Sequence, residues 1–313
     1  MNGDSRPPRG LSNSAGASGA GSAGSAVVGR VPAPLVFVVS AFSQYLGAGL
    51  AVSLFSLMPS TTVAWWRLAV GATVLMALRC PWHRSWTPKA LALAAAFGTA
   101  TATMNVIFYA AISLLPLGTV VSLEFLGPVA VAAFTGRGWR PRCAAVLALL
   151  GVVSISGLGV DVGEPDQRTG VVLALAAGAA WAGYILLGRR VASAGSGIDS
   201  LAVGMVFGAL VYAPFAVGTA AGALASVRST AKALGVGLLS TAVPYGLDQV
   251  VLKRLGTDTF ALLSSLMPAT SMLVGVVMLG QLPSGWEVTG LVLVSVAVAL
   301  ASVDGRAPRP ASH

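Results

Sequence analysis

The chain has 313 residues, of which 56% are hydrophobic and only 9% charged, with a mean hydropathy of +0.83. Soluble domains carry roughly 25% charged residues, so this composition excludes a fold with its surface in water and implies a polytopic membrane protein. The formal net charge of +9 is spread over short basic clusters between apolar runs, where charges set topology, and this argues against nucleic acid as a partner.

Residues 1–30 are rich in Gly, Ser and Ala and carry Arg6, Arg9 and Arg30. They hold too little apolar surface to offset the entropy of ordering, and a disordered tail is expected. The first apolar run begins after Arg30 and is long enough to span, so it reads as a membrane helix rather than a cleaved signal.

A crossing needs about 20 apolar residues. That ruler predicts ten spans, at 33–54, 60–79, 90–112, 117–136, 143–160, 169–188, 198–219, 232–252, 258–280 and 286–303. Five lie on each side of the acidic connector Asp161 to Arg168. The connections are short, so alternate loops face opposite sides and their basic residues can be counted. The side holding both termini has fifteen Lys and Arg; the other has three, Arg168, Arg228 and Lys232. Both termini are therefore expected in the cytoplasm.

Five spans per half place the two halves in opposite orientations, the inverted-repeat plan of many secondary transporters. The expected organisation is a tail at 1–30, a first five-helix repeat at 31–161, a second at 162–304 and a short cytoplasmic tail at 305–313. A trace of duplication is visible. Laying Leu115–Pro128 on Leu255–Pro268 gives five identities in fourteen positions.

Small residues mark close packing. Gly204 and Gly208 form a GxxxG in span seven, and Gly151, Ser154 and Gly157 line span five. Such pairs usually hold a bundle together; a homodimer contact is the alternative. Trp65 and Trp66, near the outer end of span two, read as part of an interfacial aromatic belt. Cys80 and Cys143 fall at cytoplasmic helix ends with no metal-ligand spacing, and they read as small apolar residues.

Charges inside the spans are the candidates for chemistry. Arg67 and Glu124 each lie seven residues below the outer end of their spans, roughly 10 Å deep. Unpaired, each costs at least ~2.5 kcal/mol. Arg67 either snorkels to the headgroups, with Glu124 hydrogen-bonded between helices, or the two line one polar cavity as a pair that opens for substrate. Asp248 lies near the inner end of span eight, sharing a helix face with Thr241 and Tyr245. It has two readings, a site residue or a partner of Lys253 or Arg254 at the membrane edge. Gln44, Asn105 with Tyr109, and Trp181 with Tyr184 add polar and aromatic side chains at mid-depth, as cavity lining or as interhelical hydrogen bonds. Pro128, Pro244 and Pro268 are expected helix breaks that free backbone carbonyls.

Absences separate function classes. There is no GxxxxGK[ST] loop for nucleotide hydrolysis. The two histidines, His83 in a loop and His313 at the terminus, provide no Ser/His dyad and no intramembrane metal site. Glu124 and Asp248 fall near opposite faces, which argues against shared acid/base work on one substrate, and no span carries the row of like charges of a charged selectivity filter.

The strings FYAAISLLPLGTVVSLEFLGPVAV at 108–131, WAGYILLGRR at 181–190 and STAVPYGLDQVVLKRLGTDTFALLSSLMPA at 240–269 resemble the EamA-type branch of the drug/metabolite transporter superfamily. The likeness is strongest to its threonine/homoserine exporters and covers nearly all of residues 33–303. It implies an all-α fold of ten transmembrane helices in two inverted five-helix repeats, an inner-membrane location and efflux of small amino acids or related metabolites. No cofactor, metal or enzymatic activity is expected, and the partners are a small-molecule substrate and the bilayer. The chain departs from the resemblance where Asp248 replaces a frequent Glu, and where Ser265, Leu266 and Met267 replace an acid-bearing SMEP-like string. A zwitterionic substrate would place its carboxylate at Arg67 or at helix-break amides and its ammonium at Glu124, between walls of Tyr109, Trp181 and Tyr245. Protonation of Glu124 in exchange with substrate would give proton antiport. A broad drug or metabolite exporter and a non-transport membrane protein are the other readings.

Overall fold

The computed structural model describes residues 31–135, 138–155, 160–193 and 197–303. Prolines and short polar residues set where its helices begin. Helix α1 (Ala33–Val52) starts after Pro32, and α2 (Ser60–Arg79) after Pro59. Helix α3 (Pro88–Ile112) is capped by Thr87, whose hydroxyl accepts from the Ala90 amide at 3.2 Å. After Pro116 come α4 (Leu117–Glu124) and α5 (Leu126–Thr135), then α6 (Arg140–Val153), α7 (Pro165–Ser193) and α8 (Gly197–Ala220). Helix α9 (Val227–Gly237) opens on a Ser226/Ser229 capping box. It runs into a π-helical turn, Leu238–Ala242, followed by α10 (Val243–Leu263), a 3-10 turn at Ser264–Leu266, α11 (Met267–Leu279) and α12 (Gly285–Val303). No strand occurs among the described residues.

Seven stretches are long and apolar enough to cross a membrane: α1, α2, α3, α4 with α5, Pro165–Gly188 of α7, Asp199–Leu224 and Gly285–Ser302. The other three predicted spans differ for identifiable reasons. Span five corresponds to α6, fourteen residues long, and its expected continuation enters residues 156–159, outside the described set, as is Gly157. Spans eight and nine lie in the helical run Val227–Leu279, broken by the π and 3-10 turns, and only Ser264–Leu279 stands out there as a shorter apolar helix.

That run does not travel straight. The Ser240 hydroxyl donates to the Gln44 carbonyl at 3.2 Å, the Arg254 guanidinium donates to the Val31 carbonyl at 2.8 Å, and Met267 returns to a cavity that Gln44 also lines. A straight helix would separate residues 240 and 267 by roughly 40 Å. Both meet the middle of α1, so the chain doubles back after reaching the α1 N-terminus near Arg254.

Helix pairing is reciprocal between the two halves. Helix α1 packs on α10 and α11, while α7 packs on α3 and α4. Helices α2 and α8 pair, as do α4 and α11, and α6 and α12. Gly204 and Gly208 are used inside the fold: a Cβ on Gly98 of α3 would fall 1.8 Å from the Gly204 carbonyl oxygen, and a Cβ on Gly208 would fall 2.7 Å from the Ala102 Cβ. The GxxxG thus buries its small face against α3 of the same chain, where the absence of side chains lets two backbones touch. Gly151 and Ser154 face α12, the Ser154 hydroxyl donating to the Trp286 carbonyl at 2.8 Å.

Candidate functional site

The π turn organises the centre of the bundle. Pro244 has no N–H to give to the carbonyl four residues back, Ser240, in α-helical register, or to the one five back, Leu239, in π register. Side chains from other helices take both acceptors. Arg67 Nη2 donates to the Ser240 carbonyl at 2.9 Å, and the Ser43 hydroxyl donates to the Leu239 carbonyl at 2.9 Å. Arg67 Nε also donates to Thr241 Oγ1 at 3.3 Å, and its guanidinium lies 5.6 Å from the centre of the Tyr109 ring. Arg67 is only 8% exposed, and its side chain is directed into the bundle rather than towards headgroups.

These two bonds leave three guanidinium N–H groups, enough for a bidentate grip on a carboxylate. Arg67, Gln44, Asn105, Glu124 and Trp181 line one cavity of about 50 Å³, together with Tyr45, Met104, Phe108 and Met267. At roughly 10–15 Å³ per water, it has room for a few waters. Glu124, at the last position of α4, is 7% exposed. No ion pair within 4 Å joins it to Arg67, and among the described residues no hydrogen bond reaches its carboxylate. A basic and an acidic side chain therefore face a common space without direct contact.

Local sequence explains how Glu124 is presented. Pro128 cannot donate to the Glu124 carbonyl, and the helix is interrupted at Phe125 between α4 and α5. Helix α7 closes on this break. A Cβ on Gly178 would stand 2.7 Å from the Glu124 carbonyl oxygen, and one on Gly127 would stand 1.9 Å from the Gly178 carbonyl oxygen. Trp181, one turn further along α7, packs edge-on against Phe125 at 4.8 Å. Asn105 anchors one amide hydrogen on the Thr101 carbonyl at 2.7 Å, leaving its other donor and its oxygen for the cavity. Pro268 plays a similar backbone role, starting α11 after the 3-10 turn that brings Met267 to the lining.

The remaining sequence-predicted site residues are not among those lining this cavity. Tyr109 is fully buried, with its ring beneath Arg67 and its hydroxyl without a hydrogen-bond partner among the described residues. Tyr184 stacks on Phe97 at 4.8 Å and packs with Tyr245 against the same buried cluster. Asp248 accepts from the Ser40 hydroxyl at 2.6 Å, whereas Arg254 donates to the Val31 carbonyl. Trp65 and Trp66 donate their indole N–H groups to the Ala209 and Ala220 carbonyls, at 2.9 and 3.2 Å, so both fasten α2 to α8.

Sequence reasoning missed Tyr45, Met104, Phe108 and Met267, which carry no signal that separates a cavity wall from ordinary core. It also missed Glu287, which is buried: it pairs with the Thr119 hydroxyl and accepts from the Ser284 amide at 2.8 Å. The Ser284-x-x-Glu287 spacing is a capping-box signature, legible beforehand.

Comparison with known proteins places this architecture. The EamA-like transporter family matches residues 168–303. The chain is 38% identical over 257 residues to the threonine/homoserine exporter RhtA of Salmonella typhimurium (strain LT2), covering 82% of this chain and 86% of that one. It is 39% identical over 249 residues to the threonine/homoserine exporter RhtA of Escherichia coli (strain K12), covering 79% and 84%. The chain belongs to the EamA-like transporter family. The uncharacterized transporter YwfM of Bacillus subtilis (strain 168) is a further relative, 28% identical over 56% of this chain and 60% of its own. A solved crystal structure shares the fold, with a TM-score of 0.57 and 19% identity over 87% of this chain and 96% of that chain. As an EamA-like transporter with seven apolar helices of crossing length, the chain is a multi-pass membrane protein.

Proposed function

We propose that this chain is a secondary transporter that exports small neutral amino acids of the threonine and homoserine type across the cytoplasmic membrane, in exchange for protons. The observation that carries the reading is the basic Arg67 and the acidic Glu124, contributed by α2 and α4 to one small cavity without a direct ion pair. A zwitterion needs one cation and one anion at short range. The guanidinium fork takes the carboxylate and Glu124 takes the ammonium, while Gln44 and Asn105 offer hydrogen bonds to a polar side chain. The small cavity favours a compact solute, in keeping with the cargo in the names of the two exporters.

Alternating access follows from ten spans in two inverted repeats, 31–161 and 162–304. Reciprocal helix pairing supports this plan, as does the reversal of the chain after Arg254, which divides one long helical run into two antiparallel spans. The fifteen-to-three split of basic residues supports cytoplasmic termini. When Glu124 holds a proton it no longer binds an ammonium, and when it releases the proton it does, so cargo and proton share one carboxylate in turn.

Efflux of radiolabelled threonine and homoserine from preloaded cells tests the reading. Export that is faster with the chain than without it, and lost in Arg67→Ala, is expected. Unchanged efflux with the protein verified in the membrane refutes this cargo. If Glu124→Gln sustains proton-driven export in vesicles, the coupling role falls.

A further inference from the structure

A second polar group lies off the cavity. The Ser40 hydroxyl of α1 donates to the Asp248 carboxylate of α10 at 2.6 Å. Ser40 stands four residues, about 6 Å, from the cavity residue Gln44, on the side of the α1 N-terminus. Tyr245, one helical turn before Asp248, packs with Tyr184 of α7 against the same buried cluster around Leu68, Phe97 and Met205. Tyr245 lies four residues after Thr241, which Arg67 holds, and three before Asp248, so it stands between them along one helix face. Along this face of the π turn and α10 the polar groups succeed one another: the Ser240 carbonyl and Thr241, both held by Arg67, then Tyr245, then Asp248. Arg254, further along α10, donates to the Val31 carbonyl at 2.8 Å.

This group has no evident structural necessity. A hydroxyl-to-carboxylate bond between helices would serve equally well with a neutral Asn, without the cost of placing an acid in a span. A substrate zwitterion held between Arg67 and Glu124 does not need it. Acids within spans mark substrate and ion pathways, proton relays among them.

We propose that Asp248, with Ser40, Tyr184 and Tyr245, is a second proton-holding site on the cytoplasmic side of the cavity, through which the proton carried by Glu124 leaves the protein. The inference rests on the proton-exchange reading above. In the step, the O–H bond of protonated Glu124 breaks and one forms at the Asp248 carboxylate through intervening hydroxyls or water; Glu124 is left anionic for the next ammonium. Asp248 then gives the proton to cytoplasmic water. No electron moves.

The test uses the full-length protein in vesicles, with two readouts. Counterflow, the exchange of labelled for unlabelled threonine at equal pH, needs no net proton transfer, whereas transport driven by a pH gradient with dye-reported proton movement does. Asp248→Asn should retain counterflow and reduce gradient-driven transport by roughly a hundredfold, the scale of a lost positioned acid/base, and Asp248→Glu should restore it. Unchanged gradient-driven transport in Asp248→Asn overturns the proposal. So does equal loss of both readouts, which would make Asp248 part of binding or folding. Failure of the wild-type protein to show any threonine counterflow is separable, because it refutes the cargo reading first.

Discussion

Arg67 donates to the Ser240 carbonyl, an acceptor that Pro244 leaves without its α-helical partner. A helix defect in the second half thereby fixes the orientation of a charge from the first half. The arrangement joins backbone chemistry to the electrostatics of the cavity.

Arg67→Lys should keep the charge and lose the fork. Lysine cannot bond Thr241, the Ser240 carbonyl and a carboxylate in one plane. Threonine export should fall about tenfold or more, measured as initial efflux rate, with normal amounts of protein in the membrane.

Pro244→Ala restores a backbone N–H that competes for the Ser240 or Leu239 carbonyl. The π turn should relax towards regular helix and release Arg67. A raised KM for substrate with little loss of thermal stability is the expected result in purified protein; an unchanged KM would show that the freed carbonyl does not matter for orientation.

Gly98→Ala should fail through packing alone. Its new Cβ would fall 1.8 Å from the Gly204 carbonyl oxygen, so α3 and α8 must separate. Overpacking of this kind costs about 1–3 kcal/mol, read as a lower melting temperature in detergent. Gly183→Ala, where a Cβ meets nothing within 4 Å, is the matched control and should behave as wild type.

Glu287→Ala should destabilise the protein without changing cargo preference. It removes the partner of Thr119 and the cap of the Ser284 amide, a loss of about 1–3 kcal/mol, and it is not among the lining residues. Thermal unfolding and a competition panel of amino acids together separate the two effects.

Much of this was legible in the chain itself. Composition and the spacing of apolar runs determined the membrane class and an all-helical fold, because a bilayer demands long apolar helices whatever their neighbours. Charged residues within spans are costly enough to stand out singly, so Arg67, Glu124 and Asp248 could be named without coordinates. Pro128, Pro244 and Pro268 announced carbonyls in need of partners.

Only the tertiary structure decided which partners those were. Ser240 and Arg67 are 173 residues apart, and Ser40 and Asp248 are 208 apart; a period along one helix carries no information about the helix it will face. The same limit hid Tyr45 and Met267, whose side chains become cavity walls only when α1 and α11 meet. It also left Gly204 and Gly208 open between a dimer contact and an internal one until α3 filled their groove. Sequence fixes what each helix must bury, whereas the crossing of helices fixes against what.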